Sequence, residues 1–589
     1  MSSIIPGTQN ALTAWQPFNG ARLSVTSKTS GVSSSLPNSL QVQIPKVVSG
    51  PIGFENTGYW GIKVQSGWTY QGSFYAKSTS FSESVVVSLK STRGTVFASK
   101  AVMGISTSWT KFTFEFQPSA SADTDENVFN VAVDGKAAAG QTIFFSMFSL
   151  FPPTFRGREN GMRIDLAEAL AATQPSIWRF GISVATRWKW NETIGRLEDR
   201  PGRPNTDGLG LLEYLNWVED LGAEPILGVW DGISTANYSD LSTWTVVPEA
   251  DLQPYVDDVL NELEFIVGDA KTTEGGKLRA SLGRTEPYAL KYIEIGNEDQ
   301  FQPESYAAYR WNAFVTAIGA KYPDFEFIAT TLPSTALTPA YQRIDFHMYN
   351  SPSWFTANAF MFDDYPRNGT KWFIGEYAVT STNDTNTLGD IPSGRLPYPT
   401  LQGSAAEAAF MTGMERNSDV VFASAYAPSF QHIRNYQWTP DIMTYDASRV
   451  VKSTSYYVQQ LFSTNRGTHV LDTTPVSSND TAPLFWVASY NNETDVVFLK
   501  VSNTGSQDLV ANIFLGFTAT DFATATAIST PALSPISGLF NVSNTLEEPE
   551  LIIPVATSFA LPFSDRFNYT FPATSVTVIA LQSTTALEV

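Results

Sequence analysis

Between residues 152 and 465, short apolar segments alternate with amphipathic ones, and this rhythm restricts the chain more than any other feature of its sequence. Candidate strands are Ile177–Phe180, Glu224–Trp230, Tyr292–Glu298, Phe325–Thr330, Ile344–Tyr349, Trp372–Tyr377 and Val420–Tyr426. Helical patterns fill the intervals. Asp207–Leu221 carries apolar residues at Leu211, Leu212, Leu215 and Val218, and Glu249–Val267, Pro303–Ala320 and Ala405–Arg416 behave alike. Strands joined through helices pair side by side as a parallel sheet. Seven of them over roughly 300 residues suit a (β/α)8 barrel better than an open sheet. No eighth strand is evident.

The flanks have a different texture. Residues 1–151 are rich in Ser, Thr, Val and Phe, and read as short alternating strands: Tyr59–Val64, Phe74–Lys77, Ser84–Leu89, Glu126–Val133 and Gln141–Leu150. After residue 466 the helices stop, and Phe485–Tyr490, Thr494–Val501, Ala511–Phe517 and Ser575–Leu581 are strands. The expected architecture is α/β plus all-β. A jelly-roll sandwich over 1–151 precedes the barrel over 152–465, and a second sandwich follows over 466–589. No low-complexity linker separates them, so the three should pack together.

Composition removes several function classes. The net charge of −20 repels nucleic-acid phosphates and anionic membrane surfaces. The absence of cysteine excludes disulfides, thiolate metal sites and a cysteine nucleophile. His347, His432 and His469 are scattered, with no His-Glu-x-x-His helix, and no phosphate-binding glycine loop appears. No cofactor or metal is implied. No apolar run of about 18 residues spans a membrane. Eight Asn-x-Ser/Thr sequons, at Asn191, Asn237, Asn368, Asn383, Asn479, Asn492, Asn541 and Asn568, point to a secreted protein, although the start shows no signal peptide.

Barrel enzymes place their chemistry at the carboxyl ends of the strands. Two strands end in glutamate, in Gly296-Asn297-Glu298 and Gly375-Glu376-Tyr377. A carboxyl at the end of an apolar strand is poorly solvated and needs a reason. A structural ion pair at the barrel mouth is one. The other is glycoside hydrolysis, which needs two carboxyls flanking one bond. Two candidate strands lie between these two, so they occupy positions four and seven of eight, facing one another across a barrel. A gap of about 5–5.5 Å would make the reaction retaining.

The chain resembles glycoside hydrolase family 51, the α-L-arabinofuranosidases. The resemblance covers most of the sequence and is densest at Phe151-Pro-Pro-Thr-Phe, Thr186-Arg-Trp-Lys-Trp-Asn-Glu-Thr-Ile-Gly, Glu294-Ile-Gly-Asn-Glu-Asp, Gly375-Glu-Tyr and Gln437-Trp-Thr-Pro. It implies a retaining, exo-acting enzyme that removes terminal arabinofuranosyl groups from arabinoxylan or arabinan side chains of plant cell walls. Glu298 is then the acid/base and Glu376 the nucleophile. Asn297 contacts the sugar 2-hydroxyl, and Gln437 binds the sugar from the eighth loop. Tyr349 is placed to orient the nucleophile, with His347 beside it and Arg179 positioned to bind a carboxylate. The plainer alternatives are a turn residue ending the strand for Asn297, exposed-loop polarity for Gln437, barrel-mouth packing for Tyr349, a satisfied structural histidine for His347 and a structural pair for Arg179. Trp188, Trp190, Trp230 and Trp354 after strand ends, and Trp60, Trp68 and Tyr70 in the first sandwich, are candidates for sugar stacking or for core.

The chain departs from the family in two places. The first barrel strand, with its acidic sugar-binding residue, is not found ahead of the sandwich. The second strand runs through Gly181-Ile-Ser-Val-Ala-Thr-Arg187 without the family's Pro-Gly-Gly-Asn segment, and the loop near Arg200-Pro-Gly-Arg-Pro-Asn-Thr is short. Two alternatives stay open at this point: a glycosidase of the same clan acting on another linkage, such as a xylosidase or endoglucanase, and a sugar-binding homologue impaired in turnover.

Overall fold

A computed structural model describes residues 4–181, 187–201, 208–237, 240–474, 482–531 and 540–588. The first antiparallel unit stacks two five-stranded sheets, built from strands between Trp15–Phe18 and Thr142–Phe151. Its core follows from the pleat. In Thr110–Phe116 the rings of Phe112, Phe114 and Phe116 point inward, while Lys111, Thr113 and Glu115 face water. One expected strand is absent. Tyr59–Val64 is a turn and loop, because Gly58, Tyr59, Trp60 and Gly61 all take positive φ. Trp60 leaves the sandwich and packs on His432 of the central unit, with ring centroids 4.8 Å apart.

Seven parallel strands form the central sheet in sequence order: Ile177–Phe180, Glu224–Val229, Tyr292–Ile295, Glu326–Ala329, Arg343–Asn350, Lys371–Val379 and Val421–Tyr426. All seven match the segments expected from hydropathy. The first and last strands approach each other without pairing, so the barrel is not closed among the described residues. A cavity of about 1020 Å³ runs along this gap, lined by Trp178, Phe180, Phe422, Ser424 and Tyr426, and reaches Arg179 and Glu376.

The helices are amphipathic as their spacing requires. Leu211–Leu221 buries Leu211, Leu215 and Val218 and ends at Gly222, whose φ of 70° suits a left-handed cap. Leu401–Arg416 is different, since nearly every residue of it is buried. One face lies on the parallel sheet and the other is covered by the C-terminal sandwich. That sandwich has six strands in one sheet and two in the other. Ser502 Oγ donates to Ala405 O at 2.6 Å, and Lys500 Nζ meets Glu415 Oε2 at 2.6 Å. The N-terminal sandwich is also docked: Ser35 Oγ donates to Asp199 O at 2.7 Å, and Tyr75 Oη to Glu198 Oε1 at 2.7 Å.

Lys500 is 1% exposed, and among the described residues Glu415 is the acidic group that matches its charge. Glu415→Ala leaves a buried ammonium unpaired and is expected to cost about 3 kcal/mol. Chemical denaturation of the intact chain measures this, and a loss below about 1 kcal/mol contradicts it.

Candidate active site

The parallel strands carry charged residues at positions that face the sheet interior. Alternation puts Asp345, His347 and Tyr349 on one face of their strand, and Glu294 on the inner face of another. Arg179 comes from the strand that borders the gap. Its Nε and Nη2 donate to Glu294 at 2.6 and 3.0 Å, its Nη1 to Glu376 Oε1 at 2.9 Å, and its Nη2 also to Asn297 Oδ1 at 2.5 Å. One guanidinium therefore ties together the two strands that end in glutamate.

His347 joins the same cluster. Its Nε2 lies 2.6 Å from Asp345 Oδ2, and its Nδ1 lies 3.0 Å from Glu298 Oε1 and 3.6 Å from Glu376 Oε2. One oxygen of Glu298, one of Glu376 and a ring nitrogen of His347 all fall within 4.8 Å of one another. Tyr349 Oη donates to Glu376 Oε2 at 2.6 Å. Gly375 is required beside the nucleophile candidate, because a Cβ there would overlap the Asp345 carboxylate, which accepts from Gly375 N at 2.8 Å.

The electrostatics separate the two glutamates. Burial opposes ionisation of Glu376, but His347, Arg179 and the Tyr349 hydroxyl outweigh it and hold this carboxyl below its ordinary range. Burial also works against charge on His347 and Arg179. Asp345, Glu376 and Glu298 overcome that for the imidazole, and Glu294, Asp345 and Glu376 for the guanidinium, so both stay cationic. His347 then donates from both nitrogens. Asp345 is held well below the usual carboxylate range despite its burial, by His347 and Arg179. Burial keeps the Tyr349 phenol protonated, with the Glu376 charge adding to the effect. Burial raises Glu294 to about 8 against the pull of Arg179, and Asp345 adds to the rise. The triads Glu294–Asp345–His347 and Glu298–His347–Glu376 have the proximity of metal ligands. With Arg179 and a doubly protonated His347 already supplying positive charge, they do not suit a divalent cation.

Six of the seven site residues expected from sequence converge: Glu298, Glu376, Asn297, Tyr349, His347 and Arg179. Gln437 does not join their hydrogen-bond network, since it is exposed on its loop. Its neighbour Trp438 does the packing instead, against Tyr349 at 4.8 Å between centroids and under Arg395. Glu294, Asp345 and Trp438 were not singled out by sequence reasoning. The signal for the two acids was a charge inside an otherwise apolar strand, and Asp345 also shares a face with His347 two positions along. Of the aromatics, Trp190 and Tyr70 are core, while Trp188, Trp230, Trp354 and Trp68 are half-buried against neighbouring rings. The expected loss of the second-strand segment falls at 182–186 and the shortened loop at 202–207, both outside the described residues.

Comparison with known proteins agrees with this geometry. Residues 169–367 match the model of the α-L-arabinofuranosidase 1 domain, and 375–575 that of the α-L-arabinofuranosidase C-terminal domain. A probable α-L-arabinofuranosidase A of Aspergillus terreus is 38% identical over 98% of this chain and 89% of its own length. The α-L-arabinofuranosidase A of Aspergillus kawachii is 37% identical over the same shares. The arabinose-bound structure of the MgGH51 α-L-arabinofuranosidase is 44% identical and superposes with a TM-score of 0.92, over 99% of this chain and 93% of that one. A Thermotoga maritima α-L-arabinofuranosidase, at 18% identity and a TM-score of 0.57 over 72% of this chain and 90% of that one, shares the fold. With the paired strand-end glutamates in place and the whole length accounted for by such relatives, the chain belongs to glycoside hydrolase family 51, and it is an α-L-arabinofuranosidase.

Proposed function

We propose that this enzyme removes terminal arabinofuranosyl groups with retention, using Glu376 as nucleophile and Glu298 as acid/base. The supporting observation is the approach of one oxygen from each carboxyl to within 4.8 Å, near the about 5–5.5 Å spacing of retaining pairs and short of the about 6.5–9.5 Å of inverting ones. Glu376 attacks the anomeric carbon as the glycosidic C–O bond breaks, and Glu298 passes its proton to the departing oxygen. This leaves an ester of Glu376 and an ionised Glu298. Glu298 then takes a proton from water as its oxygen attacks the same carbon, and Glu376 departs as a carboxylate.

The surroundings fit these roles. Arg179, His347 and Tyr349 supply donors that keep Glu376 ionised in the free enzyme. His347 reaches both carboxyls and moderates the change of charge when the ester forms. Asn297, aligned by Arg179, offers an amide to a sugar hydroxyl. The arabinose bound by the MgGH51 relative supports the same sugar here. Arabinoxylan or arabinan side chains are the substrates that present such terminal groups.

The secreted reading is supported by exposure of the sequon residues Asn191, Asn237, Asn368, Asn492, Asn541 and Asn568. Asn383 is half-buried, with its amide bonded to Ser393 O at 2.9 Å, and Asn479 lies outside the described residues. Mass spectrometry after expression through a secretory pathway should find glycan on several of the six. A wholly unmodified chain from that route speaks against this reading.

Glu376→Ala should abolish turnover of an aryl α-L-arabinofuranoside with the fold intact. Glu298→Ala should lower kcat by about 10²–10⁴-fold. Azide, which attacks the ester without a general base, should restore turnover as an arabinosyl azide of retained configuration. Full activity in Glu376→Ala, or an inverted azide product, refutes the assignment.

Because Glu376 has a depressed pKa, activity should persist as pH falls below the ordinary carboxylate range and disappear as pH falls through the value in the folded enzyme. Tyr349→Phe deletes a donor to that carboxylate, so the acid limb of kcat/KM should move to higher pH. A limb that stays in place, or moves lower, rules out this role for Tyr349.

A further inference from the structure

Glu298 has φ 55° and ψ 40°, the left-handed region. For a residue with a Cβ this costs about 1–2 kcal/mol and persists only where the surroundings over-determine it. Gly296, two residues earlier, also has a positive φ of 84°. The chain thus leaves its strand in an unfavoured turn just where the acid/base candidate must be aimed.

What holds the turn lies behind it. Asp299 is fully buried and accepts from Arg310 Nη1 at 2.5 Å and from Thr330 Oγ1 at 2.7 Å. Arg310 is fully buried as well. Its Nη1 also meets Asp231, its Nη2 donates to Gln302 O at 3.0 Å, and its Nε to Ser305 Oγ at 3.1 Å. Asp231, the third fully buried member, comes from the end of the neighbouring strand. Gly296 is pressed against this cluster, since a Cβ there would overlap the Asp299 carboxylate. Arg310 itself sits at the end of a π-helical turn, Tyr306–Arg310, and Tyr306 Oη donates to Ile295 O at 2.7 Å. Residues 295, 296, 299 and 302 are therefore all tied to one buried assembly, and only Glu298 and Asn297 project from it towards the site.

A buried charge cluster is a poor device for stability, because desolvation of each ion costs several kcal/mol and apolar replacements are often neutral or better. Its planar, multiply bonded guanidinium is instead a good device for geometry. We propose that Arg310, acting through Asp299 and Asp231, is a positioning residue that holds Glu298 in its left-handed conformation, with the carboxyl aimed at the glycosidic oxygen. This rests on Glu298 being the acid/base.

The readout is leaving-group dependence. An aryl group that departs readily, such as 2,4-dinitrophenolate, needs no proton from Glu298, whereas phenolate does. In Arg310→Lys, kcat/KM for phenyl α-L-arabinofuranoside should fall about 100-fold, the scale expected for a misplacement of about 1 Å. For the 2,4-dinitrophenyl substrate it should stay within about threefold. Thr330→Val, which keeps all three charges and removes one donor to Asp299, should show the same pattern more weakly, and it carries the test if Arg310→Lys does not fold. An equal fall on both substrates makes the cluster merely structural, and no fall on either makes it irrelevant; each overturns the proposal. Glu298→Ala, assayed on the same pair, separates the two levels. If it fails to discriminate between leaving groups, the acid/base assignment itself is lost. If it discriminates and the Arg310 and Thr330 variants do not, only the positioning role is lost.

Discussion

The site depends on one guanidinium. Arg179 is 12% exposed and meets carboxylates or an amide from three other strands. A buried cation of this kind must be matched nearly charge for charge, and each partner must in turn be held in place. Glu294 and Asn297 lie on one strand and its exit turn, and Glu376 on the strand across the sheet. The bonds from Arg179 set the distance between them. The strand that supplies it borders the gap in the sheet, so the incomplete closure leaves the convergence of the two glutamates intact.

Around that cation the charges alternate. Asp345 receives His347, His347 reaches both Glu298 and Glu376, and Glu376 is also bonded by Arg179 and the Tyr349 phenol. The two glutamates therefore differ in what surrounds them. One is surrounded by donors and held within a strand. The other meets a single imidazole and hangs from a strained turn. A double displacement asks for this asymmetry, since one carboxyl must stay ionised until it bonds carbon and the other must give up and recover a proton.

The flanking units bear on the site through packing. The helix Leu401–Arg416 backs the strand that carries Glu376, and it is almost wholly buried because the C-terminal sandwich covers its outer side. Its small residues, Ala405, Ala406, Ala408 and Ala409, allow that close approach on two faces. On the other side, the loop after the last parallel strand carries His432 against Trp60 of the N-terminal sandwich and Trp438 against Tyr349. One loop thus connects the first sandwich to the ring that bonds the nucleophile.

Much of this was legible in the chain itself. Hydrophobic period distinguishes strands from helices wherever an element is buried on one face or two, and so all seven parallel strands could be located. Tyr59–Val64 failed because its alternation is real but its glycines and left-handed residues bend the backbone out of the sheet. Strand-end glutamates were conspicuous since an isolated carboxyl in apolar surroundings is expensive. Glu294 escaped notice because its partner Arg179 is remote in sequence, and Gln437 lies exposed on its loop beside Trp438, which packs on Tyr349. Local patterning, then, determined which segments form the parallel sheet and which two acids end its strands. Only tertiary structure decided that Arg179 and His347 lie between those acids and that Arg310 sits beneath Glu298. Charge pairing in a low-dielectric interior depends on distances in space, and these are set by packing between segments that share no local signal.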